Sequence, residues 1–195
     1  MLDFMQYDQL SAIEGLVDEY ELDEVAMVDN VKSKSSKLGL GHDLRTTKPH
    51  PDEKLHSSTS THHIYRLSQP GLTRYVARDK HTGQAHVIVQ GLERKNVMHI
   101  RSTAAHDQST VKAHEVYHHL IKQGKVLASD SKQSEGGKRI WHKLAKTRGV
   151  NVHGWQNGKA VNVKVGDDET HIEVGDKSHG SGSAKKMILV AHKKD

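Results

Sequence analysis

Residues 97–144 decide the fold: VMHIRSTAAHDQSTVKAHEVYHHLIKQGKVLASDSKQSEGGKRIWHKL. The stretch divides into strand, loop, helix, strand and helix. In its first helix, apolar residues recur at spacings of three and four and form one stripe: Ala113, Val116, Tyr117, Leu120 and Ile121. Asp107 or Ser109 can cap the start of this helix, and Gly124 suits its end.

The segment after this helix repeats the pattern. Residues 125–129 (KVLAS) are a short apolar run that ends in a polar loop, which is typical of a buried strand. A second amphipathic helix follows, with Ile140, Trp141 and Leu144 on its apolar side and Gly149 at its end. This alternation in so few residues predicts α/β layering with parallel neighbouring strands.

Strand-like runs lie on both sides of the central stretch. Residues 62–69, 73–79 and 84–92 end at turn residues, which indicates an antiparallel meander that leads into the strand at 97–105. Beyond the second helix, Asn157-Gly158 lies between two alternating runs and predicts a hairpin. The expected fold is therefore α/β, with a mixed α+β sheet built from a meander, strand–helix–strand–helix and a hairpin.

The composition of the chain changes at both ends. Ser11 and Glu14 have capping-box spacing and start a predicted acidic helix within residues 1–30. Residues 31–61 are rich in Lys, Ser, Gly, His and Thr, so they are predicted to form a flexible connector that adds almost nothing to a core. The predicted domain spans 62–175, and 176–195 is predicted to be a flexible basic tail.

Charge and composition exclude several classes of protein. The net charge is +5, but residues 1–30 hold nine acidic and no basic side chains, so the remaining residues carry +14. An acidic segment that folds onto a basic body, or a surface that binds polyanions, would explain this asymmetry. Cysteine is absent, and no apolar run is long enough to span a membrane, so a cytoplasmic protein without a membrane association is expected.

The order of these elements resembles the GNAT superfamily of acetyl-CoA-dependent N-acetyltransferases over about residues 64–165. The resemblance implies that a loop before the central helix holds the acetyl-CoA pyrophosphate on backbone amides, because helix N-termini attract anions. The corresponding residues are Gln108, Ser109, Thr110, Val111, Lys112 and Ala113. Val111 stands where the family has a glycine, and Trp141 where it often has a tyrosine. The implied protein is an N-acetyltransferase or a catalytically degenerate relative.

The same resemblance implies direct attack of an amine on the thioester, with a carboxylate or histidine accepting the proton. The candidates by position at strand ends are Glu93, His106 and Asp130, with His99 beside them. The run at 127–144 also resembles bacteriophage-encoded members of the family, which would place the protein in the host cytoplasm or in a virion.

A second hypothesis concerns the first helix of the central stretch. His114, Glu115 and His118 form an H-E-x-x-H motif, in which two histidines bind zinc and the glutamate activates a metal-bound water. Glu135 is a possible third ligand. A zinc hydrolase is the second alternative function, after the non-enzymatic one described next, and a pair of surface histidines is the simpler explanation of the motif.

A third hypothesis is a non-enzymatic structural or binding protein. Basic residues are frequent on the second helix and in the tail, and the partner would be nucleic acid or another macromolecule that meets the acidic N-terminal helix or the basic body. Trp155 could add an aromatic contact. Solvated lysines account for the same pattern.

Overall fold

A computed structural model describes residues 40–130, 133–156, 159–168, 172–174, 177–178 and 187–194. The described chain divides into two units. We call residues 40–93 and 100–116 the meander unit, and residues 94–99 with those from 117 onward the crossover unit. The predicted acidic helix within residues 1–30 lies outside the described residues.

Antiparallel strands with short turns build the meander unit. Helix α1 (Leu40–Asp43) precedes β1 (Lys54–Ser58), β2 (His62–Gln69), β3 (Leu72–Asp79) and β4 (Ala85–Arg94), and β5 (Val97–Ala105) enters the unit at Ile100. Each strand pairs with the next, and the tight β2–β3 hairpin aligns Gln69 with Leu72. The predicted meander of β2 to β5 is confirmed, and β1 adds a strand that was not predicted.

The core of the meander unit includes residues from the predicted connector. One buried cluster contains side chains from β3, β4, β5 and the segment before β1: Leu40, Leu44, Val76, Ala85, Ile88 and Ala104. Arg78 ties that segment to the sheet, because its guanidinium binds the Glu53 carboxylate at 3.1 Å and the Thr46 carbonyl at 3.0 Å. The expectation that almost nothing from 31–61 enters a core is therefore wrong for Leu40 and Leu44.

The crossover unit carries the two longer helices. Helix α2 (Ala113–Lys122) is shared between the units, and β6 (Val126–Ala128) lies parallel to the start of β5. Helix α3 (Glu135–Ala145) leads to β7 (Val150–Gln156), and β12 (Met187–Lys193) lies between β6 and β7, antiparallel to both. The two helices and the parallel β5–β6 pair are as predicted.

Further strands complete the crossover unit. β8 (Lys159–Val161) pairs with β7 as a hairpin strand, although the turn residues 157–158 lie outside the described residues. A separate small sheet contains β9 (Val163–Val165), β10 (Ile172–Val174) and β11 (Lys177–Ser178). Ile188–Ala191 of β12 are buried, so part of the predicted basic tail is a core strand.

The predicted α/β, GNAT-like fold class is wrong. Within the described residues the main sheet has nine strands in the order β1-β2-β3-β4-β5-β6-β12-β7-β8, and strand exceeds helix by 48% to 18%. The prediction gave most weight to the two helices, assigned residues 54–58 to a connector, and placed residues 187–193 in a tail although 187–191 form a strand-like run. Both segments are strands, so the architecture is a large mixed sheet with few helices.

Candidate metal centre

Strand register in the meander unit brings three metal-ligating side chains to one edge of the sheet. His62 begins β2 and lies opposite Asp79, which ends β3. His86 is the second residue of β4, directly after the turn that follows Asp79. Gly83 in this turn has φ +72°, and a Cβ there would lie 2.6 Å from the Thr47 carbonyl oxygen, so glycine permits both the turn conformation and the close approach of the segment before β1.

The two histidines of this group are in direct contact. Nε2 of His62 lies 2.8 Å from Nδ1 of His86, and both side chains are buried. One of the two nitrogens must carry a proton for this contact to be a hydrogen bond, because two lone pairs would repel each other. The Thr61 hydroxyl lies 2.8 Å from the other ring nitrogen of His62 and orients that ring.

Both imidazoles are held in the neutral form that binds metals. Burial and the neighbouring His86 lower the pKa of His62 below its ordinary value. Burial also lowers the pKa of His86, which outweighs the opposing effect of Asp79. At neutral pH, each ring therefore offers a lone pair to a cation without first losing a proton.

Asp79 supplies a carboxylate that stays ionised. Its Oδ1 accepts hydrogen bonds from the Thr82 amide at 2.8 Å and the His81 amide at 2.9 Å, and from the Thr82 hydroxyl. These contacts, chiefly the Thr82 amide, lower the pKa of Asp79 to about 2. The turn thus fixes one carboxylate oxygen and leaves the second for a ligand.

The three side chains form a donor set of known type. One donor atom from each of His62, Asp79 and His86 lies within 4.8 Å of the other two. Two imidazoles and one carboxylate are the protein ligands of many catalytic zinc sites and of non-haem iron(II) sites. Among the described residues, these three side chains form the group of histidine and carboxylate donors that lie close enough together to hold an ion.

A pocket of about 240 Å³ opens beside His62. Its wall combines hydroxyl groups with apolar side chains of β2, β3 and helix α2, and it includes Thr61, Thr110 and Glu115. The Thr110 hydroxyl lies 3.5 Å from Nε2 of His62 and 3.4 Å from Nδ1 of His86, which places it at the point where the two imidazoles converge.

Glu115 faces the same pocket as His62. Its negative charge raises the pKa of His62, but burial and His86 together lower that pKa by more. Its Oε2 accepts a hydrogen bond of 2.6 Å from the Lys112 amide, which fixes the carboxylate at the start of helix α2. A fixed carboxylate near a metal position can accept a proton from a bound water.

The predicted catalytic residues are not brought together as a set. Glu93 is a buried carboxylate near the end of β4 that binds Arg66 at 3.1 Å and accepts from Tyr75 at 2.9 Å. His106 follows β5 and stacks on His86, with ring centroids 6.3 Å apart. Glu93 lies seven positions after His86 on β4, or about 23 Å along the strand, so Glu93 is remote from His106.

Asp130 and His99, the remaining acid–base candidates, lie in the crossover unit. Asp130 follows β6 and is half-buried, and His99 is buried within β5. Glu93 and His106 are in the meander unit. Their catalytic roles remain predictions.

The predicted cofactor loop lies in the segment before helix α2. The backbone N–H of Gln108 donates to Nδ1 of His106, and the backbone N–H of Val111 donates to the Ser109 hydroxyl. Because the Lys112 amide already binds Glu115, amides that would hold a pyrophosphate are engaged within the chain. Thr110 faces His62 and His86, and Ala113 is the first residue of the helix. Acetyl-CoA binding remains a prediction from the resemblance.

The H-E-x-x-H motif lies on helix α2 as predicted. His114 and His118 are half-buried, and neither belongs to a group of three donors among the described residues. The motif's Glu115 instead shares a pocket with His62. The motif thus identified the carboxylate at this pocket, but it did not identify the histidines that the carboxylate faces.

His62, Asp79 and His86 could have been found from the sequence through their strand ends. In an antiparallel meander the start of one strand, the end of the next and the start of the third lie at the same edge. Each of these residues lies at such a position of the predicted runs. With 17 histidines in the chain, their type alone gave no signal.

Comparisons with known proteins do not assign the chain to a family. No protein-family model matches the sequence, and no curated protein or solved structure shows significant similarity to it. In the part of the chain that the structure describes, none of the helices has the length and apolar character needed to cross a bilayer. The geometry of the site therefore carries the functional argument.

Proposed function

We propose that this protein binds a divalent transition-metal ion through His62, Asp79 and His86 and uses it to hydrolyse a small substrate. The observation that carries the proposal is the 2.8 Å approach of Nε2 of His62 to Nδ1 of His86, with the Asp79 carboxylate beside them. An ion held by both nitrogens would take the place of this hydrogen bond, and the displaced proton would move to the other nitrogen of the same ring. Zinc suits two imidazoles and a carboxylate and leaves a position for water.

The reaction follows from the groups around the metal position. A bound ion would supply Lewis-acid chemistry by lowering the pKa of a water, and Glu115 would accept the proton that the water loses. The activated water would then attack an acyl carbon, the bond to the leaving group would break, and Glu115 would return the proton to that group. The balance is one water consumed, with one acid and one alcohol or amine formed. Thr110 donates a hydrogen bond to the substrate or to the bound water.

This proposal revises the zinc-hydrolase hypothesis. Glu115 keeps the role of base that the motif gives it, but His62 and His86 replace His114 and His118 as ligands. The acetyltransferase function rests on the resemblance alone.

Titration of the metal-free protein with Zn²⁺, in competition with a chromophoric chelator, tests the ligand assignment. We expect one tight site, and His62→Gln should weaken it by roughly 100-fold or more, since even residues behind the ligands contribute about 10- to 100-fold. His63→Gln is the matched control, because His63 is the next residue of β2 and points to the opposite face. His118→Gln should leave the site intact. Loss of zinc in His118→Gln with retention in His62→Gln would refute the assignment.

Hydrolysis of p-nitrophenyl acetate by the zinc-loaded protein tests the chemistry. Glu115→Gln should keep the zinc affinity and lower kcat by about 10²- to 10⁴-fold, because glutamine cannot accept the proton. The glutamine carbonyl still accepts from the Lys112 amide, so the start of helix α2 is preserved. Equal turnover by Glu115→Gln and the parent protein would remove Glu115 from the mechanism. If the parent protein binds zinc tightly but does not turn over the substrate, the metal site is supported and the proposed hydrolase activity is refuted.

A further inference from the structure

The crossover unit gathers basic side chains from two distant parts of the chain. Lys143 and Lys146 belong to the last turn and the C-cap of helix α3, and Arg148 follows them. Lys193 ends β12 opposite Val150, and the Lys194 amide donates to the Gly149 carbonyl at 2.9 Å. The β7–β12 pairing therefore places the last lysines beside the end of α3. We call the resulting group the basic corner: Lys143, Lys146, Arg148, Lys193 and Lys194.

All five residues of the basic corner are exposed. Ion pairs among the described residues involve Arg66, Arg74, Arg78 and His50, all in the meander unit, and none involves the corner. Lys146 donates to the Gly166 carbonyl at 3.4 Å, and the exposed Asp167 follows Gly166. Even with Asp167 counted, the corner carries an excess of positive charge. Its like charges repel one another, and an anionic partner would relieve that repulsion.

We propose that the basic corner binds the sugar–phosphate backbone of a nucleic acid. The partner's negative charges must be closely spaced to meet five cations on one surface, and a duplex carries one phosphate per about 1.7 Å of its axis. This inference is independent of the metal centre, because no residue of the corner belongs to the meander unit.

The aromatic side chains of the described part of the crossover unit argue for binding to the backbone and not to bases. Trp155, a candidate nucleic-acid contact in the sequence, is 7% exposed, and Trp141 is 3% exposed. Tyr117 is buried against Trp141. Recognition of single-stranded bases needs exposed rings on which the bases stack. Contacts with phosphates alone give binding that is independent of sequence and strongly dependent on salt.

The test is the salt dependence of binding, measured by fluorescence anisotropy with the full chain and a labelled DNA duplex of mixed sequence. Five neutralised phosphates predict that log K falls against log salt concentration with a slope of about −4.5. Each double variant, Lys193→Gln with Lys194→Gln or Lys143→Gln with Arg148→Gln, should reduce the magnitude of the slope by roughly 2. An RNA duplex of the same sequence should give a similar slope, because the corner reads phosphates.

Lys48→Gln with Lys54→Gln is the matched control. Both residues are exposed, both lie in the meander unit, and the pair removes the same charge. An unchanged slope in this variant, with reduced slopes in both corner variants, supports the proposal. Equal effects of control and corner variants would show attraction by net charge alone and overturn it. Tighter binding of polyglutamate than of DNA at equal salt would also overturn it, in favour of an acidic protein.

Discussion

One partly buried histidine of the crossover unit, His153, gives the fold a dependence on pH. Its ring lies 5.3 Å from the ring of His192 on the paired strand β12, and its Nε2 makes no hydrogen bond within the described residues. Burial, reinforced by His192, lowers the pKa of His153 to about 4. The unfolded chain, with an ordinary histidine pKa near 6.5, therefore binds a proton in a pH range where the folded chain does not.

The sign of the effect follows from this difference in bound protons. The free energy of unfolding is at its full value above about pH 6.5 and decreases as the pH falls towards 4, by up to about 3 kcal/mol from this residue. His153→Met should remove that part of the decrease and cost little at pH 7, because it also removes an unsatisfied buried nitrogen. Urea unfolding at pH 7 and pH 4.5 measures this change in the free energy of unfolding. His81→Met, at an exposed histidine, is the control. A decrease of the same size in His153→Met and the parent would contradict the prediction.

At the scale of elements, local sequence patterns predict where helices and strands lie but not which strands pair. Helix α2 follows from its apolar stripe and ends before Gly124, whose φ of +85° suits glycine. Its start lies later than predicted, because the Ser109 hydroxyl binds within the preceding turn and the Glu115 carboxylate binds the Lys112 amide. Side chains compete for amides near a helix start, and spacing alone does not decide that competition.

Strand β12 shows the same limit for long-range pairing. Its apolar run was recognisable, but its insertion between β6 and β7 depends on pairings across roughly 30 to 60 residues of chain. The Leu189 amide binds the Ser129 hydroxyl at 2.8 Å, and the Ser129 amide binds the Leu189 carbonyl at the same distance. No local period encodes such a partner, and the α/β assignment failed for that reason.

At the scale of the whole molecule, the candidate metal centre is a product of topology. Its ligands are 17 and 7 residues apart along the chain, and they meet because β2, β3 and β4 form one antiparallel meander. The sequence predicted the meander and drew attention to Glu115, but it did not single out His62 and His86 among 17 histidines. The metal site proposed from the sequence lay on the central helix, where the H-E-x-x-H motif is visible. The site that geometry favours lies on strand ends, where only the register reveals it.

Binding of zinc to these ligands should stabilise the folded protein as a whole. Free zinc at about 100 times its dissociation constant raises the free energy of unfolding by about 2.7 kcal/mol, which for a chain of this length raises Tm by roughly 5–10 °C. The 17 histidines also let the unfolded chain bind zinc, and this reduces the shift. Because His62→Gln leaves nearly all of that unfolded-state binding in place, the difference between parent and variant isolates the native site. Thermal unfolding followed by circular dichroism, with and without zinc, should show a higher Tm only in the parent and in His63→Gln. A zinc-dependent rise of equal size in His62→Gln would place the ion elsewhere in the molecule.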